Sequence, residues 1–125
     1  LKFWYNYTNG ENNKMAAGTY NFTLEQGANF NRALTLKEND SVMNLTGYSA
    51  ASQMRSTHDS STVVATFSCV VSNASAGQIT MAQTASQTGA IEEGIYVYDT
   101  EITNSAGNVT RILQGRITVT PQVTR

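Results

Sequence analysis

From Thr19 to the end of the chain, apolar side chains recur at every second position and hardly anywhere at every third or fourth. A period of two puts alternate side chains on opposite faces of a pleated strand, so the chain has to build its core from sheets rather than from amphipathic helices. Tyr20, Phe22 and Leu24 alternate with Thr19, Asn21 and Thr23 before Gln26-Gly27 turns the chain. Phe30, Leu34 and Leu36 continue on even positions, with Arg32 as a cation in the same apolar row, and Lys37 to Ser41 is a polar turn. Tyr48, Ala50, Ser52 and Met54 make a third strand. Val63, Ala65, Phe67, Cys69 and Val71 form the inward face of the strongest one, closed by a turn from Asn73 to Gly77. Gly77 to Met81 is a short strand, and one helical turn fits between Ala82 and Ala90. Tyr96, Tyr98, Thr100 and Ile102 share a face, and the loop Asn104 to Asn108 has hairpin length. The returning strand places Val109, Leu113, Ile117 and Val119 on one parity until Pro121, which has no N–H to donate, ends the pairing.

About seven short strands with no long helix between them predict an all-β fold, an immunoglobulin-like antiparallel β-sandwich spanning residues 18–125. Phe22, Leu34, Phe67, Tyr98, Leu113 and Ile117 are expected to meet in its core. Antibody hallmarks are missing: Cys69 has no second cysteine to bridge to, and the third strand has no Trp. A chain of 125 residues is one core's worth of protein. Residues 1–17 read differently, as an extended N-terminal arm and linker. Phe3, Trp4, Tyr5 and Tyr7 cluster there, followed by the turn-prone stretch Asn9 to Lys14. Clustered aromatics exposed to water invite association, so the arm is expected to bind a partner subunit through Phe3, Trp4, Tyr5 and Tyr7, with Trp4 as anchor.

A search for chemistry returns little. His58 is the lone histidine, and although Asp59 and Ser60 follow it, neighbours in an extended segment point apart and form no relay. Cys69 has inward parity, where a thiol is a small hydrophobe. Glu92-Glu93 beside Gly94 reads as a solvated loop, and Asp99 and Glu101 have Arg111 or Arg116 across the hairpin as cross-strand ion partners. Gly77, Gly89 and Gly94 are too scattered for a phosphate loop, and neither a calcium loop nor a zinc ligand set can be assembled. The expectation is therefore a non-enzyme with no catalytic residue, no cofactor and no metal. Charged residues make up 14% of the chain and the net charge is -1, which gives no basic face for nucleic acid. No apolar run reaches the roughly 18–20 residues of a spanning helix, and the opening residues lack the pattern of a signal peptide, so no membrane partner is expected. Five Asn-X-Ser/Thr triplets, at Asn6, Asn21, Asn44, Asn73 and Asn108, read as chance in a chain this rich in those residues.

A family resemblance becomes specific in four places: Gly18-Thr19-Tyr20-Asn21-Phe22-Thr23-Leu24-Glu25-Gln26-Gly27-Ala28-Asn29-Phe30; Asn44-Leu45-Thr46-Gly47-Tyr48 leading to Gln53-Met54-Arg55; Tyr96-Val97-Tyr98-Asp99; and Gly107 with Val109-Thr110-Arg111, Gly115 and Val119-Thr120-Pro121. In this order the set resembles small tailed-phage virion proteins, and is similar to the immunoglobulin-like N-terminal domain of phage baseplate upper proteins. It covers about residues 18–125. Where that family often has a Trp in the second strand, this chain has Leu34-Thr35-Leu36-Lys37. The resemblance implies a structural subunit of a bacteriophage virion, in the tail or the baseplate and fibre-attachment region. It would be assembled in the host cytoplasm, with other virion proteins and further copies of itself as partners. The alternative is a capsid-surface decoration protein or an adhesin module for a host glycan.

Overall fold

Strict alternation becomes burial at once in the computed structural model, which describes residues 2–7, 15–16, 18–38 and 41–124, with backbone alone for 2–7, 15–16 and Glu38. The short strand β4 (Phe22–Glu25) buries Phe22 and Leu24 and exposes Thr23 and Glu25. Around it, in chain order, stand β1 (Lys2–Tyr7), β2 (Met15–Ala16), β3 (Gly18–Thr19), β5 (Phe30–Glu38), β6 (Ser41–Val42), β7 (Ser49–Arg55), β8 (Ala65–Asn73) and β9 (Gln78–Gln83). One helical turn, α1 (Ala85–Gly89), precedes the long hairpin β10 (Gly94–Thr103) and β11 (Val109–Thr120).

The expected pair of antiparallel layers is a single mixed sheet. Among the described residues all eleven strands belong to it, in the order β2-β1-β5-β9-β8-β7-β10-β11-β3, with β4 also on β11 and β6 on β5. The reason lies in β8, which serves two neighbours in turn: Ala65 to Phe67 pair with β7, and Ser68 to Asn73 pair with β9. Three pairings are parallel, β1 with β5 and both β3 and β4 with β11. The sheet must curl, because β2 and β3 occupy its opposite ends although Ala16 and Gly18 are only two positions apart, within about 7 Å along the chain. The result is a half-barrel folded over its own concave face.

That face holds one core. Leu34, Leu36, Ile79 and Met81 from one half meet Met54, Ile102, Leu113 and Ile117 from the other, all essentially inaccessible to water. At one end four aromatic rings interlock: Phe22 lies 5.0 Å from both Phe30 and Tyr98, and Phe67 lies 5.6 Å from Phe30. The six residues expected to share the core do so. Two buried hydroxyls are satisfied, since Ser52 Oγ donates to Asp99 O (2.6 Å) and accepts from Thr100 Oγ1 (3.1 Å).

The resemblance motifs turn out to be joints. Leu45 is buried as a plug, its N–H donating to Ala74 O (2.9 Å), while Gly47 takes φ +83° and Asn44 Oδ1 accepts from the Thr46 N–H (3.0 Å). Gln26 to Asn29 seat α1: Thr88 Oγ1 donates to Ala28 O (2.8 Å), Gln26 Nε2 donates to Ile91 O (2.8 Å) and the Ala85 N–H donates to Asn29 Oδ1 (2.7 Å). Between β3 and β4 the backbone crosses Gly115. There Tyr98 Oη donates to Tyr20 O (2.6 Å), and the Arg116 N–H donates to Asn21 Oδ1 (2.8 Å) in place of a strand partner.

Two expectations need correcting. Val63 is exposed and precedes β8, because the strand begins at Ala65. Val109 is 58% exposed although Leu113 is buried. A bulge sets Thr100 against Leu113 but Glu101 against Arg111, so Ile112 is an extra residue and the parity upstream of it reverses. Lys2 to Tyr7, within the expected extended arm, form β1 beside β5, with Phe3 opposite Leu36 and Trp4 opposite Lys37. The sheet thus extends across the 17/18 boundary.

Candidate functional site

The outward parity of three strands gathers the polar groups that make a site. Ala51, Gln53 and Arg55 of β7 lie beside Glu101, Asp99 and Val97 of β10 in the register Arg55 to Val97, Gln53 to Asp99 and Ala51 to Glu101. Arg111 and Gln114 add the edge from β11, and the loop after β7 contributes Thr57 and His58. Together they line a groove of about 450 Å³ on the convex face. Its charges are held mainly by neutral neighbours. Arg55 donates to Ser60 O (2.6 Å) and to Gln53 Oε1 (3.0 Å). Arg111 donates to Gln114 Oε1 (3.1 Å) and, turned outward by the bulge at Ile112, forms one of the cross-strand ion pairs expected across the hairpin, 3.6 Å from Asp99. With both side chains about half exposed, that pair fixes orientation more than it stabilises.

His58 is exposed on the groove rim. Ser60, two residues on, is occupied within its own loop: its N–H donates to Thr57 O (3.2 Å), and its Oγ accepts from the Thr62 N–H (3.2 Å). Glu92 and Glu93 are exposed in the loop before β10, where Glu92 O accepts from Tyr96 Oη (2.7 Å). Among the described residues no group of three or more His, Cys, Asp or Glu side chains is placed to hold a metal, and no helix is long and apolar enough to cross a membrane.

Cys69 is partly buried against the core, opposite Met81 in β9, and burial pushes its thiol up to about 11. At pH 8 only about one thiol in a thousand is then ionised, and the thiolate is the reactive form. Alkylation of the native protein by iodoacetamide should accordingly be about 100-fold slower than in urea, and equal rates would show that Cys69 is not held in the core. The folded state keeps this proton more tightly than the unfolded chain does. This contribution to stability is complete below the ordinary thiol range and is lost as pH rises towards about 11.

Phe3, Trp4, Tyr5 and Tyr7 all fall on β1, and their side chains lie outside the described residues. The groove itself was not evident in the sequence as a unit. Its signal was the shared outward parity of Gln53 and Arg55 with Asp99 and Glu101, which locates a surface only once β7 and β10 are known to be neighbours.

No protein-family profile matches the chain, and no curated protein is significantly similar to it in sequence. Among solved structures, the N-terminal domain of phage TP901-1 ORF48 superposes with a TM-score of 0.55 at 12% identity, covering 96% of this chain and 98% of that one. CopC from Methylosinus trichosporium OB3b reaches a TM-score of 0.38 at 14% identity over 63% of this chain and 72% of its own. The chain therefore shares its fold, nearly end to end, with the N-terminal domain of a phage protein.

Proposed function

We propose that the chain is a non-enzymatic structural subunit of a bacteriophage virion, placed in the tail or the baseplate and fibre-attachment region in several symmetric copies. The observation that carries this reading is the coverage of the fold match, 96% of one chain and 98% of the other, to a domain of a phage protein. Fold alone does not assign a role, so the site counts as well. Arg55, Arg111 and Asp99 of the groove are tied to one another, to Gln53 and Gln114 and to backbone, an arrangement suited to contact rather than catalysis. The order β4-β11-β10-β7 on one half and β5-β9-β8 on the other also supports reading the curled sheet as immunoglobulin-like layers joined through β8. A glycan-binding module is the weaker reading, because the aromatic residue lining the groove, Tyr98, turns its hydroxyl away to Tyr20 O.

Phe3, Trp4, Tyr5 and Tyr7 are the side chains proposed to join neighbouring subunits. Since β1 is a strand of this sheet, deleting it would remove structure along with the anchors. Replacing the four aromatics with Ser tests the anchors with the backbone kept. The variant should fold yet be depleted at least tenfold from purified particles, counted by quantitative mass spectrometry. Incorporation at the wild-type copy number would transfer assembly to the sheet faces and loops.

A further inference from the structure

Strand β8 has β7 on one side as far as Phe67, where the two strands part, and β9 on the other from Ser68 to Asn73. Beyond Phe67 the side that β7 occupied faces no strand among the described residues. This opening lies inside the sheet order: β9 and β5 separate it from β1, and β7 and β10 separate it from β11. The vacancy thus arises where β7 and β8 diverge and not at either end of the chain.

Backbone alternation shows what the open side presents. The Leu36 N–H donates to Gly77 O (2.8 Å), so even-numbered residues of β5 direct their backbone groups toward β9. Carried through the registers Leu34 to Ile79 and Thr80 to Val70, the alternation turns the N–H and C=O of Val70 to β9 and those of Cys69 and Val71 to the open side. Thr66 obeys the same rule, its carbonyl accepting from Gln83 Nε2 on the β9 side (3.3 Å).

A free edge is commonly guarded by a charge or a proline, and the run from Ala65 to Asn73 has neither. Val70 is 56% exposed on the convex face between Ser68 and Ser72, which are exposed as well. A bulge between Val71 and Asn73 bounds the regular stretch. Within it, Ser68-Cys69-Val70-Val71-Ser72 reads nearly the same from either end. Laid antiparallel on itself about a two-fold axis at Val70, this run sets Val70 against its own copy as a non-hydrogen-bonded pair, the closer kind. Cys69 then stands against Val71 on each side as a hydrogen-bonded pair, and these are the residues whose backbone groups face outward. No charge meets its like, and an exposed valine is covered. Such self-complementarity is what an isologous contact requires, and it names a second copy as the occupant.

We infer that the Ser68–Ser72 edge of β8 pairs with the same edge of a second copy of this chain, antiparallel and two-fold symmetric, so that one sheet runs through both protomers. The parting of β7 from β8 and the near-palindromic run carry this without the virion reading, and the purified chain suffices to test it.

The ¹⁵N-labelled full chain is followed from micromolar to millimolar concentration. The Cys69 and Val71 amides should shift together, and sedimentation velocity should show monomer giving way to dimer. Val70→Lys, which sets two like charges at the closest pair, should keep the chain monomeric with its unfolding midpoint unchanged. In a Cys69→Ala background, Val70→Cys should oxidise to a disulfide-linked dimer at least tenfold faster than Val109→Cys, because directly opposed residues of antiparallel strands lie within disulfide reach. Val109 is 58% exposed, like Val70, but sits on β11. Equal oxidation rates, a monomer at millimolar concentration, or a dimer that Val70→Lys leaves intact would overturn the proposal. A synthetic peptide of alternating Thr and Val is the second probe. If it shifts the Cys69 and Val71 amides while the chain's own concentration does not, the edge takes a foreign strand and the two-fold pairing is wrong.

Discussion

Truncating Phe67 to alanine should lower the unfolding free energy by about 3–5 kcal/mol, the range for removing a fully buried phenylalanine ring. Phe67 sits where β8 passes from one neighbour to the other, paired with Ser52 of β7 just before Ser68 turns to β9. Its ring is 3% exposed and meets Phe22 at 6.2 Å and Phe30 at 5.6 Å. These contacts tie β4, β5 and β8 together across the concave face, so the cavity cannot collapse without moving the bend itself. Urea unfolding of the two proteins measures the difference. A loss under about 1 kcal/mol would mean that the bend is held by backbone pairing alone and that the aromatic end of the core is dispensable.

Gly115→Ala should cost about 3 kcal/mol, the upper end of what overpacking usually does. A methyl group there would overlap the Tyr20 carbonyl and crowd the Asn21 side chain. Tyr20 O is the acceptor for Tyr98 Oη and Asn21 Oδ1 the acceptor for the Arg116 N–H, so relieving the overlap breaks the joint that fastens β3 and β4 to β11. Gly89→Ala is the control. Its added methyl would make only ordinary contact, 3.8 Å from Gly27 Cα, and the change should be nearly neutral. Similar thermal shifts for the two variants would show that the Tyr20 backbone yields freely and that the crossing is not a joint.

Legibility in the sequence followed the strictness of alternation. Phe22 and Leu24, Leu34 and Leu36, and Tyr98, Thr100 and Ile102 were readable because each strand buries every second residue without interruption. Val109 was misplaced because one bulged residue, Ile112, reverses the parity, and nothing in the run from Val109 to Leu113 marks it locally. The run Lys2 to Tyr7 has no alternation to announce a strand, and its parallel pairing with β5 depends on a neighbour far along the chain. The double pairing of β8 was hidden for a similar reason: nine consecutive residues look like one strand of one layer, while the change of neighbour at Phe67/Ser68 is a property of the curl. At the site, Arg111 could be named as a partner across the hairpin from Asp99, but its position shares the parity of Leu113 and it faces outward only because the bulge at Ile112 reverses that parity. The oddity of Arg32 in an apolar row was directly readable. What that cation faces became visible only when β3 and β4 came to lie across from β5.

The reading of the chain as an assembly domain is tested most directly by a cryo-electron microscopy map of intact particles into which the curled sheet can be placed. Several symmetric copies are expected in the tail or baseplate region, each with β1 and the convex groove against neighbouring subunits. Particles without density for this fold, or copies standing on the capsid surface with both surfaces facing solvent, would contradict it.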